Sequence, residues 1–287
     1  MTAVSDAGST PLSNPERAPL TRLLRSELRW VLRRPRTQIA LGLLALVPVL
    51  IGIGIMATDS PGGSGLLTQI AGNGLVLPVV ALSISLTLLL PLAVTMAAAD
   101  ALAGESAHGT LRGLLLAPVS RTRLVLVKAI GVLAVAVAAV AAVAVLGMVT
   151  GLVLIGPSGS TNGMLTLSGT EVGPGSALLR VSLAATWTVG QLAAIGAVAL
   201  AVSSATDHPL VVLAAVLGGL IVFGVLSAIP ALNWLQPLLI TTGWFAIVDV
   251  LRDPLPLDGL AASSFRAGCY LLVGVGLTLL RTTTREA

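Results

Sequence analysis

Residues 129–151 read AIGVLAVAVAAVAAVAVLGMVTG, an apolar run without one charged side chain. A bilayer core about 30 Å thick is crossed by about 20 helical residues that each rise about 1.5 Å, so this run is long enough for one membrane span. Comparable runs elsewhere predict six spans in all, at residues 39–57, 75–99, 124–155, 178–204, 209–228 and 262–280. The sequence therefore predicts an all-α integral membrane protein.

The composition of the whole chain excludes an ordinary soluble domain. Of the 287 residues, 55% are hydrophobic and 10% are charged, whereas soluble proteins carry about 25% charged residues. The single cysteine, Cys269, excludes a disulfide framework and a cysteine-rich metal site. The predicted spans contain no central carboxylate or histidine, which argues against an ion-coupled carrier or a proton pump.

The basic residues are distributed asymmetrically along the chain. Eleven of the 16 lysines and arginines lie within residues 17–36 and 112–128, and Arg281 and Arg285 add two more at the C-terminus. Cytoplasmic segments of membrane proteins carry this excess of positive charge. We therefore expect a multi-pass protein of the plasma membrane, with both termini and the loop 100–123 in the cytoplasm.

The N-terminal region divides into a tail and an amphipathic segment. Residues 1–19 are polar and are predicted to be a disordered cytoplasmic tail, and residues 282–287 form a second short tail. Residues 20–36 are predicted to be a helix that lies in the membrane interface, before a single transmembrane domain of residues 37–281. The polar stripe of that helix is formed by Arg22, Arg25, Arg29 and Arg33.

Two segments between spans are predicted to lie outside. The loop between the third and fourth spans is rich in Gly, Ser and Thr and is interpreted as passive. Residues 229–258 are apolar but are interrupted by four prolines, so we expect short helices that dip into the outer membrane face. Trp234 and Trp244 are predicted to anchor them.

The loop between the second and third spans, DALAGESAHGTLRGLLLAPVSRTR at residues 100–123, concentrates ionisable groups. Its glycines permit a tight change of direction, and the leucines that follow share one face of a short helix before a proline ends it. The result is an amphipathic knob suited to a groove on a cytoplasmic partner. Its candidate contact residues are Asp100, Gly104, Glu105, His108, Gly109, Thr110, Leu111, Arg112, Leu114, Leu115, Pro118, Ser120 and Arg121.

Two catalytic motifs were considered and are not supported. The only lysine, Lys128, follows Val127, so the chain has no G-x-x-x-x-G-K-[ST] phosphate loop and is expected to be noncatalytic, with no cofactor of its own. A Gly-Pro-Ser-Gly sequence at 156–159 offers Ser158 as a nucleophile with His208 as its base. The predicted topology separates these two residues by a full membrane thickness.

The ordered elements of the loop resemble the permease subunits of ABC transporters of the type 2 class, which include systems for sodium extrusion, drug resistance and nitrous-oxide-reductase maturation. The shared pattern appears here as Asp100, Gly104-Glu105, Gly109-Thr110-Leu111, Leu114-Leu115, Pro118-Val119-Ser120-Arg121 and Lys128. Ser106-Ala107 departs from it, because charged residues often follow the Gly-Glu pair. The resemblance implies two permease halves of six spans, a coupling helix in this loop, and two separate ATPase subunits that bind ATP and Mg²⁺.

The leading hypothesis is therefore a permease subunit of an ABC exporter, with a homodimer favoured over a heterodimer. The alternatives are an ATP-independent secondary transporter or channel, and an intramembrane serine hydrolase. The apolar spans do not select among lipid, drug, peptide and ion as substrate. Six polar residues are candidates either to line the translocation interface or only to hold neighbouring helices together, namely Ser83, Ser85, Thr87, Thr186, Thr188 and Gln191.

Overall fold

The computed structural model describes residues 20–57, 73–104, 121–156 and 163–284. Its helices are α1 (Leu20–Arg33), α2 (Pro35–Met56), α3 (Leu77–Thr87), α4 (Leu89–Ala101), α5 (Arg121–Thr150), α6 (Pro174–Ser203), α7 (Pro209–Ser227) and α8 (Asp258–Thr284). A short antiparallel hairpin pairs β1 (Met164–Leu165) with β2 (Glu171–Val172). The prediction of an all-α membrane protein is confirmed.

Five of the described helices are long and apolar enough to cross a bilayer, namely α2, α5, α6, α7 and α8. The pair α3 and α4 supplies a sixth crossing if the two are counted as one bent span. Helices α2, α5, α6 and α8 begin three or four residues before the corresponding apolar run, as α2 does at Pro35 and α8 at Asp258. Prolines and polar residues are tolerated in the first turn of a helix, so hydropathy alone places the start too late.

The second apolar run is broken, although its composition suggested one continuous span. The helix stops at Leu88, whose φ of −148° and ψ of −47° are not helical, and α3 and α4 meet at an angle of 55°. Pro91 lies in the first turn of α4 and has no amide hydrogen to continue the helix from α3. Its ring would also clash with the carbonyl of Thr87 in a straight helix.

Helix α6 lies at the centre of the bundle. Of its most apolar window, 56% of the residues are buried, compared with 17% for α2 and for α7. It packs against α4, α5 and α8, and glycines make this close approach possible. A Cβ on Gly196 would lie 2.9 Å from Val132, and one on Gly274 would lie 2.6 Å from the backbone of Ala197.

The glycine pair of α5, spaced as G-x-x-x-G, is used inside the subunit. A Cβ on Gly147 would lie 2.9 Å from Pro78, and one on Gly151 would overlap the backbone of Gly74. Small residues allow membrane helices to approach in this way. The motif therefore packs α5 against the start of α3.

The segment 229–258 contains two 3₁₀ helices, Pro230–Leu232 and Ile240–Leu251. The longer one packs against α8, α3 and α6. Trp244 is only 9% exposed, whereas Trp234 is 71% exposed. The anchoring role of Trp234 stays a prediction, whereas Trp244 belongs to the core.

One end of the bundle is held together by Arg180 and Asp253. The guanidinium of Arg180 donates to the Asp253 carboxylate at 2.9 Å and to the Val250 carbonyl at 2.9 Å. Thr170, from the turn of the β-hairpin, donates to the same carboxylate at 3.0 Å. The described part of the loop between α5 and α6 is thus a structural tie, and its passive role in function stays a prediction.

Candidate functional site

The loop predicted to contact a partner is described only at its two ends. Asp100 and Gly104 lie at the end of α4, and Arg121 begins α5. The remaining candidate residues lie outside the described ranges, namely Glu105, His108, Gly109, Thr110, Leu111, Arg112, Leu114, Leu115, Pro118 and Ser120. The described residues therefore form the support that holds the two ends of this loop.

The first end of the loop is held by an ion pair to the junction of α1 and α2. Arg34 Nη1 lies 3.0 Å from Asp100 Oδ2, and Arg36 Nη1 lies 3.9 Å from the other carboxylate oxygen. The Asp100 side chain is 16% exposed, so the contact with Arg34 is largely shielded from solvent. The end of α4 is thereby attached to the junction of α1 and α2.

The second end of the loop is held by a buried ion pair. Lys128, two turns into α5, places its Nζ 3.0 Å from Glu27 Oε1 of α1. The lysine side chain is only 4% exposed, and an ammonium group at that depth requires a close counter-charge. The second end of the loop is therefore fastened to α1, and the first end to the junction of α1 and α2.

Trp30 lies between the two ion pairs. The guanidinium carbon of Arg34 is 3.3 Å from the centroid of the indole ring, and Lys128 Nζ is 5.4 Å from it. Cations at these distances are attracted to the face of an aromatic ring. We call Glu27, Trp30, Arg34, Asp100 and Lys128 the basal cluster.

The basal cluster connects α1 and the start of α2 to α4 and α5, and it has no room for a substrate. The cavity between its side chains has a volume of about 10 Å³, which is close to the minimum that holds one water molecule. Its groups also satisfy one another through ion pairs. The arrangement can transmit force between helices, but it offers no open binding position.

A further attachment joins α4 to the centre of the bundle. The hydroxyl of Ser203, at the end of α6, accepts a hydrogen bond from the Ala103 amide at 3.0 Å and donates one to the Ala99 carbonyl at 3.3 Å. Ser203 is 1% exposed. The end of α4 is therefore fixed to the junction of α1 and α2 on one side and to the central helix α6 on another.

The arginine stripe predicted on α1 is found on its exposed face. Arg22, Arg25, Arg29 and Arg33 are exposed, while the leucines of the opposite stripe, such as Leu24, are half-buried. The amphipathic pattern of residues 20–36 thus matches a helix with one packed side and one free side.

The six polar candidates for a translocation interface are not gathered on one surface. Thr87 and Thr186 are exposed and Ser83 is half-buried, and each donates to a carbonyl of its own helix. Ser85, Thr188 and Gln191 are buried. Thr188 bonds the Ala184 carbonyl, whereas Ser85 and Gln191 have no side-chain hydrogen-bond partner among the described residues.

The structure also bears on the hydrolase alternative. Gly156 lies beyond the end of α5, where its carbonyl accepts a hydrogen bond from the Gly74 amide at 3.0 Å, and His208 lies at the start of α7. The end of the bundle that carries Gly156 and the end that carries His208 are separated by the length of α6, which is about 45 Å for its 30 residues. Two residues of extended chain span only about 7 Å, so Ser158 cannot reach His208.

Sequence reasoning missed three members of the basal cluster, Glu27, Trp30 and Arg34, and it also missed Ser203. Two signals were available. Glu27 is the only acidic residue within the basic segment 20–36, and Lys128 is the only lysine of the chain. A lone charge of each sign beside apolar surface indicates a pair, but the sequence does not show that these two meet.

Comparison with known proteins gives one clear result. The family model described as ABC-2 family transporter protein matches residues 22–255, which is most of the chain. No match was found among curated proteins. The matched region extends from α1, through the basal cluster and the central helices, to the outer segment. The chain therefore belongs to the ABC-2 family of transporter membrane proteins.

Proposed function

We propose that this chain is the noncatalytic permease subunit of an ABC exporter, driven by a separate ATPase subunit that docks on the loop 105–120. The observation that carries the proposal is the basal cluster, which fastens one end of that loop to the junction of α1 and α2 and the other end to α1. A loop mounted in this way moves as a unit with its supports. Family membership supports the ATPase partner, which would bind ATP and Mg²⁺.

The break in the second span supports a proposal for which segment moves when the ATPase acts. Below the break at Leu88, α4 is a separate segment of 13 residues, attached at its far end to Arg34 and Ser203. Helix breaks are places where a small displacement at one end becomes a rotation of a whole segment. We propose that α4 tilts about Leu88 when the ATPase subunits close.

The differential contact of the loop with open and closed ATPase dimers would then bias the permease between inward and outward states. Glu105 is assigned a charge-assisted contact with the ATPase, and Leu114 and Leu115 are assigned to its apolar groove. Outward transport is proposed because the sodium-extrusion and drug-resistance systems that the loop resembles work in that direction.

The permease is proposed to work as a homodimer with both termini in the cytoplasm. Leu88, Leu89 and Leu92 are between 38% and 44% exposed, although they lie at the junction of two otherwise buried helices. A second copy facing this junction would place the two breaks beside the translocation path. The excess of basic residues at the end that carries the basal cluster supports a cytoplasmic location for it.

The experiment is copurification of the permease with its ATPase, followed by measurement of ATP hydrolysis in lipid. Glu105→Ala removes one charge-assisted hydrogen bond of about 1.5–3 kcal/mol, so the complex should assemble with weakened stimulation. Replacing Leu114 and Leu115 with Asp places unpaired carboxylates in an apolar groove and should release the ATPase. Ser106→Ala, on the same loop, is the neutral control. Normal assembly and stimulation in both test variants would refute the assignment.

A further inference from the structure

A large groove runs along the exposed side of α1 to the start of α2. Its volume is about 890 Å³, which is within the range of small-molecule sites. We call it the arginine groove, because its lining includes Trp30 and five arginines, namely Arg22, Arg25, Arg29, Arg33 and Arg34. It is separate from the small cavity of the basal cluster.

The positive charge of the arginine groove is not neutralised within the described part of the chain. The two carboxylates nearest to it are already engaged, Glu27 with Lys128 and Asp100 with Arg34. No ion pair joins Arg22, Arg25, Arg29 or Arg33 to a carboxylate among the described residues. The groove therefore presents several free guanidinium groups, which bind phosphate through paired hydrogen bonds.

The position of the groove beside α2 indicates which phosphate-bearing molecules it meets. Helix α1 ends at Arg33, and the apolar membrane helix α2 starts at Pro35, so the groove lies at the level where a bilayer presents its head groups. Trp30 is 45% exposed in the groove, and tryptophan is enriched at this level of membrane proteins. We propose that the arginine groove binds the head groups of anionic phospholipids.

Arg34 connects the groove to the basal cluster. The same guanidinium stacks on Trp30 and pairs with Asp100, so a phosphate in the groove competes with Asp100 for it. Lipid occupancy thereby sets how firmly the end of α4 is held. This regulatory consequence rests on the proposed function, whereas the binding itself does not.

The test measures lipid binding to the purified full-length protein by native mass spectrometry, with phosphatidylglycerol as the anionic probe and phosphatidylcholine as the zwitterionic one. Each basic residue near an anionic lipid surface contributes about fivefold in affinity. Arg25→Gln with Arg29→Gln should therefore weaken phosphatidylglycerol binding about 25-fold. Arg252→Gln with Arg281→Gln removes the same net charge outside the groove and should leave binding within about twofold of the original.

Three results would overturn the proposal. Equal binding of the two lipids by the unmodified protein would remove the preference for anionic head groups. An equal loss in the control variant would show a general effect of net charge and no defined site. Absence of lipid preference together with crosslinking of Arg25 to the ATPase subunit would assign the groove to a protein partner. Because none of these readouts requires transport, failure here is distinguishable from failure of the permease assignment.

Discussion

Glu27→Gln is expected to destabilise the protein strongly, because it removes the carboxylate that lies 3.0 Å from the buried ammonium group of Lys128. The two side chains are 15% and 4% exposed, and their charged atoms are 3.0 Å apart. At that distance, with an effective dielectric constant of about 20, the Coulomb attraction is about 5 kcal/mol. Removing one partner of a buried pair costs about 3–5 kcal/mol. We expect the free energy of unfolding to fall by about that amount.

The assay is reversible unfolding by sodium dodecyl sulfate in mixed micelles, followed by tryptophan fluorescence. The matched control is Asp249→Asn, which breaks the Arg252–Asp249 pair at 3.3 Å, whose side chains are 59% and 27% exposed. A solvent-exposed pair is worth about 0–1 kcal/mol, so this variant should unfold almost as the original does. The double variant Glu27→Gln with Lys128→Met removes both charges and should recover most of the loss.

A buried Glu27–Lys128 pair predicts strong non-additivity between substitutions at the two positions. If Glu27→Gln costs no more than Asp249→Asn, the Glu27–Lys128 pair does not hold α1 to α5. Lys128→Met is measured alone as well. If the double variant lowers the free energy of unfolding by the sum of the losses in Glu27→Gln and Lys128→Met, the two residues act independently and do not form the stabilising pair that the structure indicates. Either outcome would also remove the main support for the proposed mounting of the loop.

Three further predictions test the topology, the outer segment and the helix packing. Cysteines at Ser5 and Ala107 should react only with reagents that reach the cytoplasm, and a cysteine at Ser160 only with external reagents; labelling of position 107 from outside intact cells would contradict the orientation. The segment 229–258 should resist external protease in the native protein, because its 3₁₀ helix packs against three membrane helices, and rapid cleavage there would argue against that packing. Gly274→Ala should cost about 1–3 kcal/mol, because the added Cβ would lie 2.6 Å from the backbone of Ala197. Gly218→Ala, where nothing lies within 4 Å, should be neutral or stabilising by up to about 1 kcal/mol, and equal unfolding free energies for the two variants would contradict the predicted contact.

The amino-acid sequence by itself determined the class of protein and the positions of its apolar helices. Hydropathy over about 20 residues is a local property, and the thickness of the bilayer sets the length that counts. The amphipathic pattern of residues 20–36 predicted α1 for the same reason. The order of elements from Asp100 to Lys128 indicated the family without reference to any folded contact, and the family model agrees.

Only the tertiary structure decided which residues meet. Glu27 and Lys128 are 101 positions apart, and Arg34 and Asp100 are 66 apart, so no local pattern joins them. Helices such as α6 and α2 are apolar on nearly all sides, and their periodicity therefore does not mark the face that packs inward. Yet 56% of the α6 window is buried and only 17% of the α2 window. That difference arises because the close approach of helices depends on glycines and charges supplied by distant segments, which only the folded bundle brings together.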